Sequence, residues 1–197
     1  MNNILSKKNL PRYIRFQFIP YFILFLFACI IDKQFPLITL LSIIIIYLYI
    51  YFIHRLIHNI PVIINPHLSI HHNHDKNNNS ISQLTIPFII ETILNIFFFL
   101  SLYIIKNIFN IYFIKDSILF YTGIVYVSTH MINYSMFHAG KNHNKHHNYT
   151  NCNFGPDVYD IIFNTTCDNK YENTNHILIN IIIAFYITLI VFKLKLY

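Results

Sequence analysis

Charge is what this chain has least of. Asp, Glu, Lys and Arg make up 11% of its 197 residues, against roughly 25% in an ordinary soluble domain, which points away from a water-covered fold and toward a membrane bundle. The formal charge of +6 does not mark a nucleic-acid binder, because the basic residues stand singly among apolar runs and form no stripe that could track phosphates. Cysteine is scarce as well. Cys29, Cys152 and Cys167 are odd in number and contain no C-x-x-C pair, so neither a disulfide framework nor a thiolate metal site is expected. Glycine occurs three times, tryptophan not at all, and there is no G-x-G-x-x-G that would cradle a nucleotide.

Long apolar runs fill the space. They cover 16–31, 36–53, 85–105 and 108–129, with a further run over 177–192, and the first four are near the length that crosses about 30 Å of hydrocarbon. The first is not a cleaved signal peptide, since it lacks the small-residue cleavage pattern and a second span follows at once. The expectation is one all-α membrane domain over 1–197: two transmembrane helical hairpins, broken at "DKQF" (Asp32 to Phe35) and at Lys106 and Asn107. A histidine-rich helical cap built from 54–84 and 130–175 completes it. The run 177–192 either spans or lies at the interface.

Two spans separate the histidine blocks, so both emerge on the same membrane face. Of the fourteen Lys and Arg, nine lie in the N-terminal segment and these blocks and three (Lys33, Lys106 and Lys115) in the opposite loops. Should the last run span, Lys193 and Lys195 raise the opposite count to five. The positive-inside bias then puts the N terminus and the histidines in the cytosol, with the endoplasmic reticulum as the expected membrane. The sequons at Asn78, Asn133, Asn148 and Asn164 are accordingly expected to stay unglycosylated.

Eleven of the twelve histidines fall between His54 and His147, at helical spacings. "HRLIH" sets His54 and His58 at i and i+4, and "HNKHH" sets His143, His146 and His147 at i, i+3 and i+4, each on one helix face. In "NPHLSIHH", Asn65 reads as an N-cap and Pro66 as the first helical residue, presenting His67, His71 and His72. His130 stands where the fourth span emerges. Imidazole is the commonest metal ligand, and nine exceed what one ion uses, so two metal ions are expected. His176, alone before the last run, is assigned no role, and Glu91 within the third span is a functional candidate as an intramembrane carboxylate.

These boxes, followed by "NFGPDVYDIIFNT", resemble the membrane fatty acid hydroxylase and sterol desaturase superfamily over His54 to Thr165. The resemblance implies that His54, His58, His71, His72, His130, His143, His146 and His147 form the catalytic metal centre. It matches Asn153, Phe154 and Gly155 to an Asn-aromatic-Gly element, and Asp160 to the Asp before a closing G-T-like pair. Asp157 and Asp160 are expected to orient ligand imidazoles by accepting their second N–H, and an acidic residue near Glu91 fits the family. Two departures stand out. Ser69 occupies a box position that calls for His, which leaves His67 either a shifted ligand or a bystander, and Asn164 replaces the Gly of the closing pair. His74 and His138 lie outside the strict boxes.

A centre of many imidazoles without thiolate suits iron among other metals, and inert lipid C–H bonds demand a metal that activates O₂. The resemblance implies a di-iron, O₂-dependent hydroxylase or desaturase of a membrane acyl chain or sterol, with electrons from a cytochrome b5-like donor fed by NAD(P)H. A non-catalytic lipid- or metal-binding protein of the same family remains an alternative. A transporter fits less well, because its site belongs near the bilayer midplane. "HRLIH" also lacks the Glu that a zinc peptidase needs.

Overall fold

Proline sets the start of both early helices, its fixed φ suiting the first turn where no N–H partner is needed. Helix α1 runs Ile19–Asp32 with Pro20 in its first turn, and α2 runs Pro36–Ile57. Between them Lys33 takes a left-handed φ of 55° and returns its N–H to the Cys29 carbonyl, closing α1. The computed structural model describes residues 18–71, 81–167 and 173–194. After α2 come a 3₁₀ turn at Val62–Ile64, a π-helical turn π1 at His67–His71, and the long helix α3 at Ile81–Ile108. Then follow α4 at Asp116–Ser128, a second π-helical segment π2 at Thr129–Met136, α5 at Lys141–Asn148 and α6 at Asp157–Ile162. The series closes with a 3₁₀ turn at Thr174–Ile177 and α7 at Leu178–Lys193. No strand occurs among the described residues.

The helices keep an apolar core but also expose large apolar side chains that a water-soluble bundle would cover. On α2, Thr39 and Ser42 are fully buried while Leu37 is 64% exposed. The Ser42 hydroxyl is satisfied by the Ile38 carbonyl at 2.8 Å and lies 3.0 Å from that of Phe113. Hydrocarbon tolerates exposed leucine but not an unsatisfied hydroxyl, so the polar residues turn inward. Among the described residues three helices are long and apolar enough to cross a membrane: Pro36–Ile57, Phe88–Ile108 and Thr174–Lys193. The chain is an all-α protein of membrane type, and its last apolar run has the length and composition of a span. Helix α1, with 14 residues, rises about 21 Å, less than a full crossing.

The pause expected at Lys106 and Asn107 falls later, because α3 continues to Ile108 and the turn occupies 109–115. Lys106 is buried there, pairs with Asp116 and donates to the Ile114 carbonyl. A charge thus satisfied inside the hairpin does not end the helix, which a pattern of polar letters could not foretell. Helix α4 is the hub, packed against α1, α2, α3 and α7, and it is apolar on all sides as a surrounded helix should be. Gly123 lets α3 come close: a Cβ there would meet the Phe99 ring at 3.2 Å. From α4 the rod passes without interruption into π2, and Asn133 fastens π2 to α7 by donating to Asn180 Oδ1 at 3.0 Å and to the His176 carbonyl at 2.9 Å.

The cysteines correct one expectation. Cys152 and Cys167 are joined by a disulfide, leaving Cys29 free. The bridge closes a loop of 15 residues, a constraint that contributes about 3 kcal/mol. Their spacing matches no framework, so only the fold around α6 brings them together.

Candidate metal centre

Three segments deliver the first group of histidines. His54 and His58 leave the last turn of α2 on one face, as their spacing requires, with Nε2 atoms 3.2 Å apart. Asn65 caps π1, its Oδ1 accepting from the backbone N–H groups of His67 and Leu68, and so presents His67. That side chain is buried, and its Nε2 lies 3.0 Å from those of both His54 and His58. His146 arrives from α5, its ring centroid 4.9 Å from that of His54 and 4.6 Å from that of His58. The donor atoms of His54, His58, His67 and His146 all lie within 4.8 Å of one another.

Hydrogen bonding alone does not account for this arrangement. Each imidazole nitrogen either donates or accepts, so three Nε2 atoms in a triangle must set at least one like pair together. Two tautomers are assigned by their other nitrogens: His54 Nδ1 sits 2.6 Å from the Phe154 carbonyl and His146 Nδ1 2.7 Å from that of Cys152. Both carbonyls require Nδ1–H, which turns the Nε2 lone pairs inward. A cation among the four nitrogens, to which each would turn a lone pair, resolves the conflict; at about 2.0–2.1 Å from a tetrahedral metal, nitrogens stand roughly 3.3 Å apart. The donor set therefore fits a metal ion.

A second group lies beside the first. His130 on π2 pairs with Glu91 on α3, and both are buried. The donor atoms of Glu91, His130 and His143 lie within 4.8 Å of one another, and His147 Nε2 is 2.8 Å from His143 Nε2. Ser135 donates to the other Glu91 oxygen, and the Tyr134 ring stacks on His143 with centroids 4.7 Å apart. The His143 and His146 rings, both on α5, are 6.0 Å apart, so the groups are neighbours.

The loop after α5 aims the imidazoles from behind. Asp160 takes no part in direct contact with a histidine. Its carboxylate accepts from the N–H groups of Phe154 and Gly155 at 2.9 and 2.7 Å and from the Thr165 hydroxyl at 2.7 Å, which holds the Phe154 carbonyl toward His54. Burial, the largest influence, pushes the Asp160 carboxyl up to about 7 against these donors. Asn153 ties the loop down by donating to the Asn142 carbonyl and accepting from Cys167 N–H, and Asn142 donates to Asp157. Gly155 has φ +64°, a conformation glycine takes at no steric cost. Asn164 stands at φ 55°, and asparagine is the common substitute in that region, so the departure from Gly keeps the turn.

His67 thus belongs with the first group. His138 is exposed and stands apart. His71 is described in backbone only, and His72 and His74 lie outside the described residues. Sequence reasoning did not find the carbonyls of Phe154 and Cys152, nor Ser135 and Tyr134. Backbone carbonyls leave no trace in residue types, and the only local signal for the other two was their place beside His130.

A family model for fatty acid hydroxylases matches residues 39–165. The chain belongs to the fatty acid hydroxylase family. No curated protein and no solved structure matches it. The matched stretch contains both histidine groups, Glu91 and the Asp160 loop, and the family makes the chain an oxidoreductase acting on a membrane lipid.

Proposed function

We propose that this fatty acid hydroxylase family member is an O₂-dependent hydroxylase or desaturase of an acyl chain or sterol, working with two histidine-ligated iron ions. The triangle of Nε2 atoms from His54, His58 and His67, with His146 beside it, carries the reading. These four hold the first ion. His143, His147, His130 and Glu91 hold the second. His71 and His72 stay in the ligand set by their position in the second box. Bound iron supplies the activation of O₂ that a lipid C–H bond requires.

The chain's own residues do the rest. Phe154 lies over the first group, its ring centroid 5.3–6.0 Å from those of His54, His58 and His146, and packs an apolar wall against it. A groove of about 720 Å³ runs between α3 and α4, lined almost wholly by apolar side chains such as Phe88, Ile96, Phe99 and Ile124. That volume falls within the range of small-molecule sites. Thr92 and Met131 also line it, each next in sequence to a member of the second group, Glu91 and His130. A lipid chain entering from the bilayer along this groove reaches the centre without crossing water. Electrons come from a cytochrome b5-like donor fed by NAD(P)H.

The test is product analysis. Cells expressing the protein will contain hydroxylated or newly unsaturated lipids that cells with His54→Ala, at equal expression, lack; identical lipid profiles sink the proposal. With the last run spanning, the nine-to-five distribution of basic residues supports a cytosolic centre, in the endoplasmic reticulum on this reading, while the Cys152–Cys167 bridge favours an oxidising compartment. Asn133 is buried, but Asn148 and Asn164 are exposed and report the outcome. Bare sequons at both are expected, and a mobility shift on deglycosylation that disappears in Asn148→Gln or Asn164→Gln reverses the orientation.

A further inference from the structure

Helix α4 changes to π geometry at Thr129, and interruptions of this kind cluster at functional sites. Behind that point lies a cavity of about 90 Å³ lined by His54 of the first group, His130 and His143 of the second, and Tyr126, Tyr47 and Thr129. One water needs only about 10–15 Å³ of such space, so the cavity holds a few small molecules and no lipid chain. Tyr126 closes one side, its ring stacked on His130 with centroids 6.0 Å apart.

Thr129 is the anomaly. Its residue is 8% exposed and its hydroxyl is buried without a hydrogen-bond partner. Thr92, Thr122 and Thr188, all in helices, return their hydroxyls to the carbonyl one turn back at 2.7–2.8 Å. The neighbouring Ser128 bonds the Val125 carbonyl. A buried hydroxyl left unmade is costly, and the few that native proteins keep call for an explanation. Thr129 lines a space shared by both histidine groups, and a turn about its Cα–Cβ bond exchanges methyl and hydroxyl at the cavity wall. The groove for the lipid chain takes Gly123, Ile124, Val127, Ser128, Met131 and Ile132, whereas the cavity takes Val125, Tyr126, Thr129 and His130. The α4–π2 rod therefore separates a groove lined almost wholly by apolar side chains from a smaller space into which histidines of both groups also project.

We propose that this cavity binds a small oxygen ligand, water at rest and O₂ in turnover, with the Thr129 hydroxyl as its hydrogen-bond donor. The O₂ half rests on the lipid-oxidation reading; the water half does not. The tests use the full chain with Thr129→Val, which keeps the shape and deletes the hydroxyl, and Thr129→Ser, which keeps the hydroxyl. With iron(II) loaded and nitric oxide as the diatomic probe, wild type and Thr129→Ser should give the same electron paramagnetic resonance signal. Thr129→Val should keep its metal content yet bind the probe about fivefold more weakly, the worth of one hydrogen bond, with an altered signal. Equal binding and an unchanged signal in Thr129→Val overturn the donor role. Independently of metal, an experimental structure resolving waters should place an oxygen atom within about 3 Å of Thr129 Oγ1; a dry cavity overturns the site. Wild type that takes up no iron overturns the O₂ role together with the reading beneath it, while density at Thr129 in that protein sustains the water site.

Discussion

Alanine at both His54 and His146 will remove one metal ion from each chain and leave the other. The first group brings together His54, His58, His67 and His146, with donor atoms inside 4.8 Å, and the double variant removes half of the four donors that group offers, the number a structural site uses. The second group keeps Glu91, His130, His143 and His147, so the protein, reconstituted to about two ions, should fall to about one. The converse pair, His130→Ala with His143→Ala, should remove the other ion. All four substitutions together should leave none. Elemental analysis of detergent-purified protein checks this, with helix content measured alongside to confirm folding. The discriminating comparison lies within "HNKHH". Read as a single box, His143 and His146 would serve one ion; as folded, they fall into two separate groups. Loss of both ions from either double variant would mean one indivisible cluster and would reject the division into groups.

Asp160→Ala will destabilise the protein and loosen the first ion without touching a ligand. The buried carboxylate holds the Phe154 and Gly155 N–H groups and the Thr165 hydroxyl, and Thr165 in turn meets the Tyr51 hydroxyl on α2 at 2.8 Å. Deleting it leaves two backbone donors without a partner, at about 1–3 kcal/mol each, which for a chain of this size lowers the Tm by roughly 5–15 °C. The Phe154 carbonyl then loses its aim at His54 Nδ1, and loss of such an orienting partner typically weakens metal affinity about 10–100-fold. The effect depends on pH. In the fold the Asp160 carboxyl is raised from 3.8 to about 7, so the folded state holds this proton more tightly than the unfolded chain. Its contribution is complete below about pH 4 and is lost as pH rises toward 7. The Tm gap between metal-free wild type and Asp160→Ala should therefore narrow from pH 5 to pH 8. A gap that widens would show that the three donors outweigh burial and that the group is ionised throughout.

What was legible in the sequence was local. His54 and His58 share a helix face because residues four apart always do, and Asn65 caps the turn at His67 because its side-chain oxygen reaches the N–H groups two and three residues on. The absence of charge and the length of the apolar runs likewise gave a helical membrane bundle before any packing was known. The turn after α3 was misplaced by a few residues, since Lys106 looks like a loop residue until Asp116 is seen beside it. The disulfide was missed because Cys152 and Cys167 meet only when α6 folds the loop back.

The division of "HNKHH" needed the tertiary structure. Successive helical residues point about 100° apart, so His146 and His147 cannot share a target, and which of them joins His143 depends on what surrounds α5. With α2 and π1 on one side and α3 and π2 on the other, His146 turns to His54 while His143 meets His130 and Glu91. The sequence alone determined that many imidazoles reach one face of a membrane bundle, because helix periodicity and hydropathy act within a segment. Only the tertiary structure decided which imidazoles come together, which carbonyls set their tautomers, and that Glu91, 39 residues from His130, belongs with them, because those contacts join segments whose spacing along the chain carries no information about their distance in space.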